Sequence, residues 1–61
     1  MISKEQAINI AKREMPETGF GVENVTFHKG IYYIALKKGR MRFQVDIDAT
    51  NGKVIGGAGG A

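Results

Sequence analysis

Nine consecutive residues, Arg40–Asp48, read RMRFQVDID and alternate polar with apolar without a break. A period of two belongs to an extended strand with one face buried and one face wet. It sets Met41, Phe43, Val45 and Ile47 on one side and Arg40, Arg42, Gln44, Asp46 and Asp48 on the other. A sheet of this kind needs neighbouring strands and a second layer over its apolar face. Two Lys-Gly dipeptides, Lys29-Gly30 and Lys38-Gly39, bracket the preceding segment IYYIALK. Each reads as a two-residue hairpin turn in which Gly supplies a positive φ. A turn at 29–30 pairs Phe27 with Tyr32 and Val25 with Ile34. A turn at 38–39 pairs Leu36 with Met41, Ile34 with Phe43 and Tyr32 with Val45. Every pair is apolar against apolar, and a slip of one residue would bury the arginines. The spacing therefore predicts an antiparallel meander with Phe43 in its core.

The opposite face carries Thr26, His28, Ile31, Tyr33, Ala35, Lys37, Arg40, Arg42, Gln44, Asp46 and Asp48. In this register Lys37 faces Arg40, an unfavourable like-charge pair. The covering layer comes from the N-terminus. Ser3 and Gln6 form the S-x-x-Q capping box, with Ile2 and Ala7 at the hydrophobic-staple positions. Glu5 in the first turn and Lys12 and Arg13 in the last suit the helix dipole. Ala7, Ile8, Ile10, Ala11 and Met15 recur at helical spacing, and Pro16 disfavours helical geometry at Met15. The helix is expected over residues 4–15. PETGFG reads as a connector, and Val54 returns to the core face opposite Ile47. The fold class is α+β, one N-terminal helix packed on a three- to four-stranded antiparallel meander. One domain covers residues 1–56. A flexible Gly/Ala-rich tail follows at 57–61, because GGAGGA offers too few side chains to stabilise an element.

Size and composition limit what such a domain can do. The 61-residue chain holds no cysteine, so neither a disulfide framework nor a thiolate metal site is available. Its stability must come from patterning, on the order of 3–9 kcal/mol for this length. The net charge of +3 mildly favours acidic partners. No apolar run approaches a membrane span, and MISKEQAI lacks the apolar centre of a signal peptide.

Asp46-x-Asp48-x-Thr50 imitates the first positions of a calcium loop. However, Asn51 stands where glycine is required and Gly57 where the bidentate glutamate belongs. Asp46 and Asp48, about 7 Å apart along a strand, have no third group and no closed pocket for acid–base chemistry. A tight turn accounts for these residues better. Asn51-Gly52 offers positive-φ positions, Asp48 can accept backbone N–H groups, and Ala49 keeps the crossing compact. His28 has no second metal ligand near it in sequence. GFGVEN lacks the third glycine and the preceding strand of a dinucleotide site. Ser3, the one serine, is used as a cap. No catalytic, cofactor-binding or metal-binding residue is read from the sequence, and no cofactor is expected.

ISKEQAINIAKREMP, then GIYYIALKKG, then RFQVDIDATNGKVI together resemble the PepSY domain. Ala7, Ala11 and Pro16 match its helix portion and Tyr33 its middle strand. Ile47, Asp48 and Ala49 stand for its V-D-A, and Gly52, Lys53 and Val54 complete its close, with Asn51 in place of the usual threonine. The resemblance covers about residues 2–56. It implies a small non-catalytic module that binds a protein partner and inhibits or regulates a peptidase. It also implies a location outside the cytoplasm. The partner-binding surface is expected on the wet sheet face, at Tyr33, Lys37, Arg40, Arg42 and Gln44, or on an edge strand. The alternative is a binder of nucleic acid or another anionic surface through Lys37, Lys38, Arg40 and Arg42.

Overall fold

The N-terminus is fixed by its cap. Ser3 is extended, with φ −82° and ψ 164°, and its Oγ accepts the Gln6 N–H at 3.1 Å. The Gln6 Oε1 accepts the Ser3 N–H in return at 2.7 Å, so the capping box is complete. It opens α1, Lys4–Arg13. The structure is a computed structural model and describes residues 1–60. Helix α1 stops short of the expected Met15. Ahead of Pro16 the N–H groups of Glu14 and Met15 turn to the carbonyls of Ala11 and Lys12, three residues back, at 3.1 and 3.2 Å. This tighter turn is the usual way a helix closes.

Four antiparallel strands follow: β1 (Gly21–His28), β2 (Ile31–Lys38), β3 (Met41–Asp48) and β4 (Val54–Gly60), in the order β1-β2-β3-β4. Helix α1 lies against the two central strands, β2 and β3. The fold is thus α+β, a helix on a meander, as the alternating pattern requires.

The first hairpin has the expected register, with Phe27 opposite Tyr32 and Val25 opposite Ile34. Lys29 and Gly30 both have positive φ, 48° and 77°, as a type I′ turn demands. A lysine there carries the steric cost of the left-handed region. Lys29→Asn should therefore stabilise the domain by about 1 kcal/mol, because asparagine tolerates that region. A urea midpoint raised at unchanged slope is the expected reading.

The second hairpin corrects the sequence register by two residues. Lys38 pairs with Met41, Leu36 with Phe43, Ile34 with Val45 and Tyr32 with Ile47. The turn is Gly39-Arg40, with Gly39 at φ 60° and Arg40 outside the positive region. A type II′ turn needs one positive φ, at its first central residue, and glycine occupies that place. Centring the turn on Lys38-Gly39 would put a second lysine where this arrangement needs none. A shift of two leaves every side chain on its face, which is why the apolar pattern could not detect it. It moves Lys37 from opposite Arg40 to opposite Arg42.

The core consists of Ala7, Ala11, Phe20, Tyr32, Ile34, Leu36, Val45, Ile47 and Ala49. Ile34, Leu36 and Ile47 are its largest fully buried side chains. The helix meets the sheet through two alanines, while Ile8, Ile10 and Met15 are only partly buried. Phe43 is half-buried rather than central. It sits toward the hairpin end, where β4 opposes it with Gly59. Phe20, placed by the sequence in a connector, is buried at 6% exposure. Its ring meets that of Phe43 edge-on, with centroids 5.5 Å apart, a favoured aromatic geometry.

The glycine-rich C-terminal segment is a strand. Gly57, Ala58, Gly59 and Gly60 pair with Val45, Gln44, Phe43 and Arg42. Val54 faces Ile47 as expected, and a bulge at Ile55 offsets the pairing that follows. Ala61, the end of the tail read as flexible, lies outside the described residues. Here glycine provides space. A Cβ on Gly59 would fall within the Phe43 ring, and one on Gly57 on the Gln44 carbonyl oxygen. Gly59→Ala should destabilise the domain by about 1–3 kcal/mol through this overlap. Chemical denaturation measures the loss, and amide exchange of Phe43 and Val45 should accelerate with it.

Candidate functional site

Helix α1 covers one face of the sheet and leaves the other uncovered. On that open face the ladder sets Tyr33 beside Asp46, Ala35 beside Gln44 and Lys37 beside Arg42. Tyr33, Lys37, Arg42 and Gln44 therefore share one face, as the alternation requires. Arg40 does not join them, because it belongs to the turn at the hairpin tip.

The sequence reading missed the residue that organises this surface. Glu23 sits at an irregularity in β1, where the register shifts between Val22 and Asn24. Its Oε2 lies 3.3 Å from Arg42 Nη1 and 4.0 Å from Lys37 Nζ. Arg42 Nη1 also donates to its Oε1 at 3.4 Å. One carboxylate from β1 thus reaches across β2 to β3 and offsets the repulsion between two facing cations. The signal lay in VENVTFH, where the count of residues allows a bulge, but sequence spacing alone does not say where a bulge falls. Gln44 Nε2 donates to Asp46 Oδ1 at 2.9 Å, linking the middle of the face.

Lys38 is also engaged. Its Nζ pairs with the Glu17 carboxylate and donates to the Thr18 carbonyl at 2.7 Å. Of the four cations read as an anionic-surface site, Lys37, Lys38 and Arg42 therefore have carboxylate partners. Arg40 alone has none among the described residues. Such exposed pairs contribute little stability, yet they lower the field that a phosphate backbone would meet.

The aspartate segment after β3 is a self-contained turn. Asp48 Oδ1 accepts the Thr50 N–H at 2.8 Å, and the Asp48 carbonyl accepts the Gly52 N–H at 2.8 Å. Asn51 Oδ1 accepts the Lys53 N–H at 2.9 Å. Only Gly52 takes a positive φ, 76°, so the expectation of a second such position at Asn51 is corrected. Asn51 serves through its side chain instead. Ala49 is fully buried between two backbone partners, with its N–H on the Gly30 carbonyl at 2.8 Å and its carbonyl receiving the Ile2 N–H at 2.7 Å. A larger residue would separate them. Among the described residues no three His, Cys, Asp or Glu side chains converge on a point where a metal ion could sit.

The profile of the PepSY family, described as the peptidase propeptide and YPEB domain, matches residues 1–57. The chain belongs to the PepSY family. No curated protein and no solved structure matches it. In this PepSY domain the closing signature, Ile47 to Val54, comprises the end of β3, the Asx turn and the first residue of β4. Ile47 and Ala49 are fully buried, and Asp48 bonds its own turn. These residues of the closing signature therefore specify the fold. Membership of this family suggests a propeptide-like or peptidase-regulatory module. Among the described residues no helix is long and apolar enough to cross a membrane.

Proposed function

We propose that this PepSY domain is a non-catalytic module that binds a peptidase and inhibits it through the open sheet face. The observation that carries the reading is the one-sided sheet. A helix seals one face, and the other presents a half-buried Tyr33 beside Asp46, with Gln44 and the Glu23-held Arg42 further along the same face. Tyrosine and arginine are among the residue types that most often anchor protein interfaces, and this face carries one of each. Glu23 holds Arg42 in place before contact, which reduces the ordering cost of association.

The test is hydrolysis of a chromogenic peptide by thermolysin-type metallopeptidases with increasing amounts of the chain. The expected result is saturable inhibition at micromolar concentration. Tyr33→Ala combined with Arg42→Ala should weaken it by about tenfold or more, with the melting midpoint nearly unchanged. Full hydrolysis at every concentration would remove the inhibitory reading.

A further inference from the structure

The molecule concentrates its charge at one end. Lys38 bonds the Glu17–Thr18 segment that leaves α1, so the C-terminus of the helix and the β2–β3 hairpin lie together. That end carries Lys12, Arg13, Lys37, Lys38, Arg40 and Arg42 against Glu14, Glu17 and Glu23. At the far end Lys4, Lys29 and Lys53 balance Glu5, Asp46 and Asp48. The whole net side-chain charge of +3 is thus located at the hairpin end.

The same end holds an open groove of about 580 Å³ between the last turn of α1 and residues 15–20. This volume suits one or two side chains of a ligand. Lys12 and Arg13 line it together with the half-buried Met15 and the edge of the nearly buried Phe20. The far wall is held in place before any ligand arrives. Lys38 Nζ grips the Glu17 carboxylate and the Thr18 carbonyl, and the lysine stem lies against Gly19. Since Lys38 pairs with Glu17, the groove presents the positive charge of Lys12 and Arg13, which have no carboxylate partner among the described residues. The N–H groups of Glu17, Thr18 and Gly19 donate to no protein group among the described residues. Glu17, Thr18 and Gly19 themselves line the groove.

We propose that this groove binds a peptide segment carrying an apolar residue next to an aspartate or glutamate. The apolar side chain enters against Met15 and Phe20. The carboxylate meets Lys12 and Arg13, and peptide carbonyls accept from the 17–19 backbone. The free donors favour a peptide over a fatty-acid anion, whose chain offers them no acceptor. The surface is separate from the open sheet face and does not depend on the inhibitory reading.

The experiment is a displayed random-peptide selection against the full chain. The consensus peptide is then synthesised and titrated by fluorescence anisotropy and by amide shift mapping. The expected consensus places Leu, Ile or Phe within a few residues of Asp or Glu. Shift changes should centre on residues 12–20. Lys12→Glu with Arg13→Glu should weaken binding about tenfold or more, and Lys38→Ala should weaken it less, through the loosened wall. Tyr33→Ala with Arg42→Ala should leave it unchanged, which separates this site from the peptidase-binding face. Laurate serves as the lipid comparison and should not shift the 12–20 amides. The proposal is overturned by a selection without consensus, by shifts mapping to the open face, by full binding to the charge-reversed chain, or by laurate binding where peptides fail.

Discussion

Ile34→Ala should remove about half of the domain's stability or more and lower its melting midpoint steeply. Ile34 is fully buried at the centre of β2, the strand that lies under α1 and pairs on both sides. Truncating such a residue costs about 2–5 kcal/mol through lost transfer energy and the cavity left behind. A chain of this length holds only about 3–9 kcal/mol in total. No disulfide is present to hold the chain together once the core loosens. Far-ultraviolet circular dichroism of the variant should show a melting midpoint far below that of the parent. Ile31→Ala, on the open face and only half-buried, is the matched control and should cost much less. Equal losses from the two variants would mean that the sheet buries its other face.

Phe20→Ala is the second large effect, expected at about 3–5 kcal/mol. The residue lies before β1 in a segment of glycines and polar residues, yet it is as buried as the strand residues of the core. Removing its ring also removes the edge-on contact with Phe43. Phe43 in turn lies over Gly59, so the loss should reach β4. Amide exchange should report faster opening of β4 than of β1. Phe27→Ala offers the contrast. Phe27 is 50% exposed and contacts Tyr32 with a centroid distance of 4.9 Å. Its loss should cost no more than about 1–2 kcal/mol, half the burial of a core aromatic. A Phe20 variant as stable as the Phe27 variant would show that the helix-to-sheet connector does not close the core.

Family membership, the open face and the charged end bear on function at different levels. The PepSY profile shows the family and suggests the kind of module. Glu23 and its two cations describe a surface ordered in advance. The groove at the end of α1 adds a second surface whose chemistry differs, cationic and apolar where the sheet face is mixed and paired.

Much of the architecture was legible because short-range physics specifies it. Ser3 and Gln6 announce the start of α1 through their own hydrogen bonds, and the alternation in RMRFQVDID assigns every β3 side chain to a face. The Asx turn at Asp48 needs nothing beyond its neighbours. The sequence also carried the PepSY resemblance, because its most distinctive residues make these local structures. Tertiary structure decided what local patterns leave degenerate. A two-residue shift of the second hairpin preserves every face, so only the backbone demands of the Gly39-Arg40 turn select the register. Gly57–Gly60 lack side chains to signal a strand, and they pair because β3 presents a free edge and Phe43 needs the space above Gly59. Phe20 joins the core, and Glu23 bridges Lys37 and Arg42, through contacts between residues about 20 positions apart. Spacing along a chain cannot encode such contacts, because they depend on where the helix and the sheet bring distant side chains together.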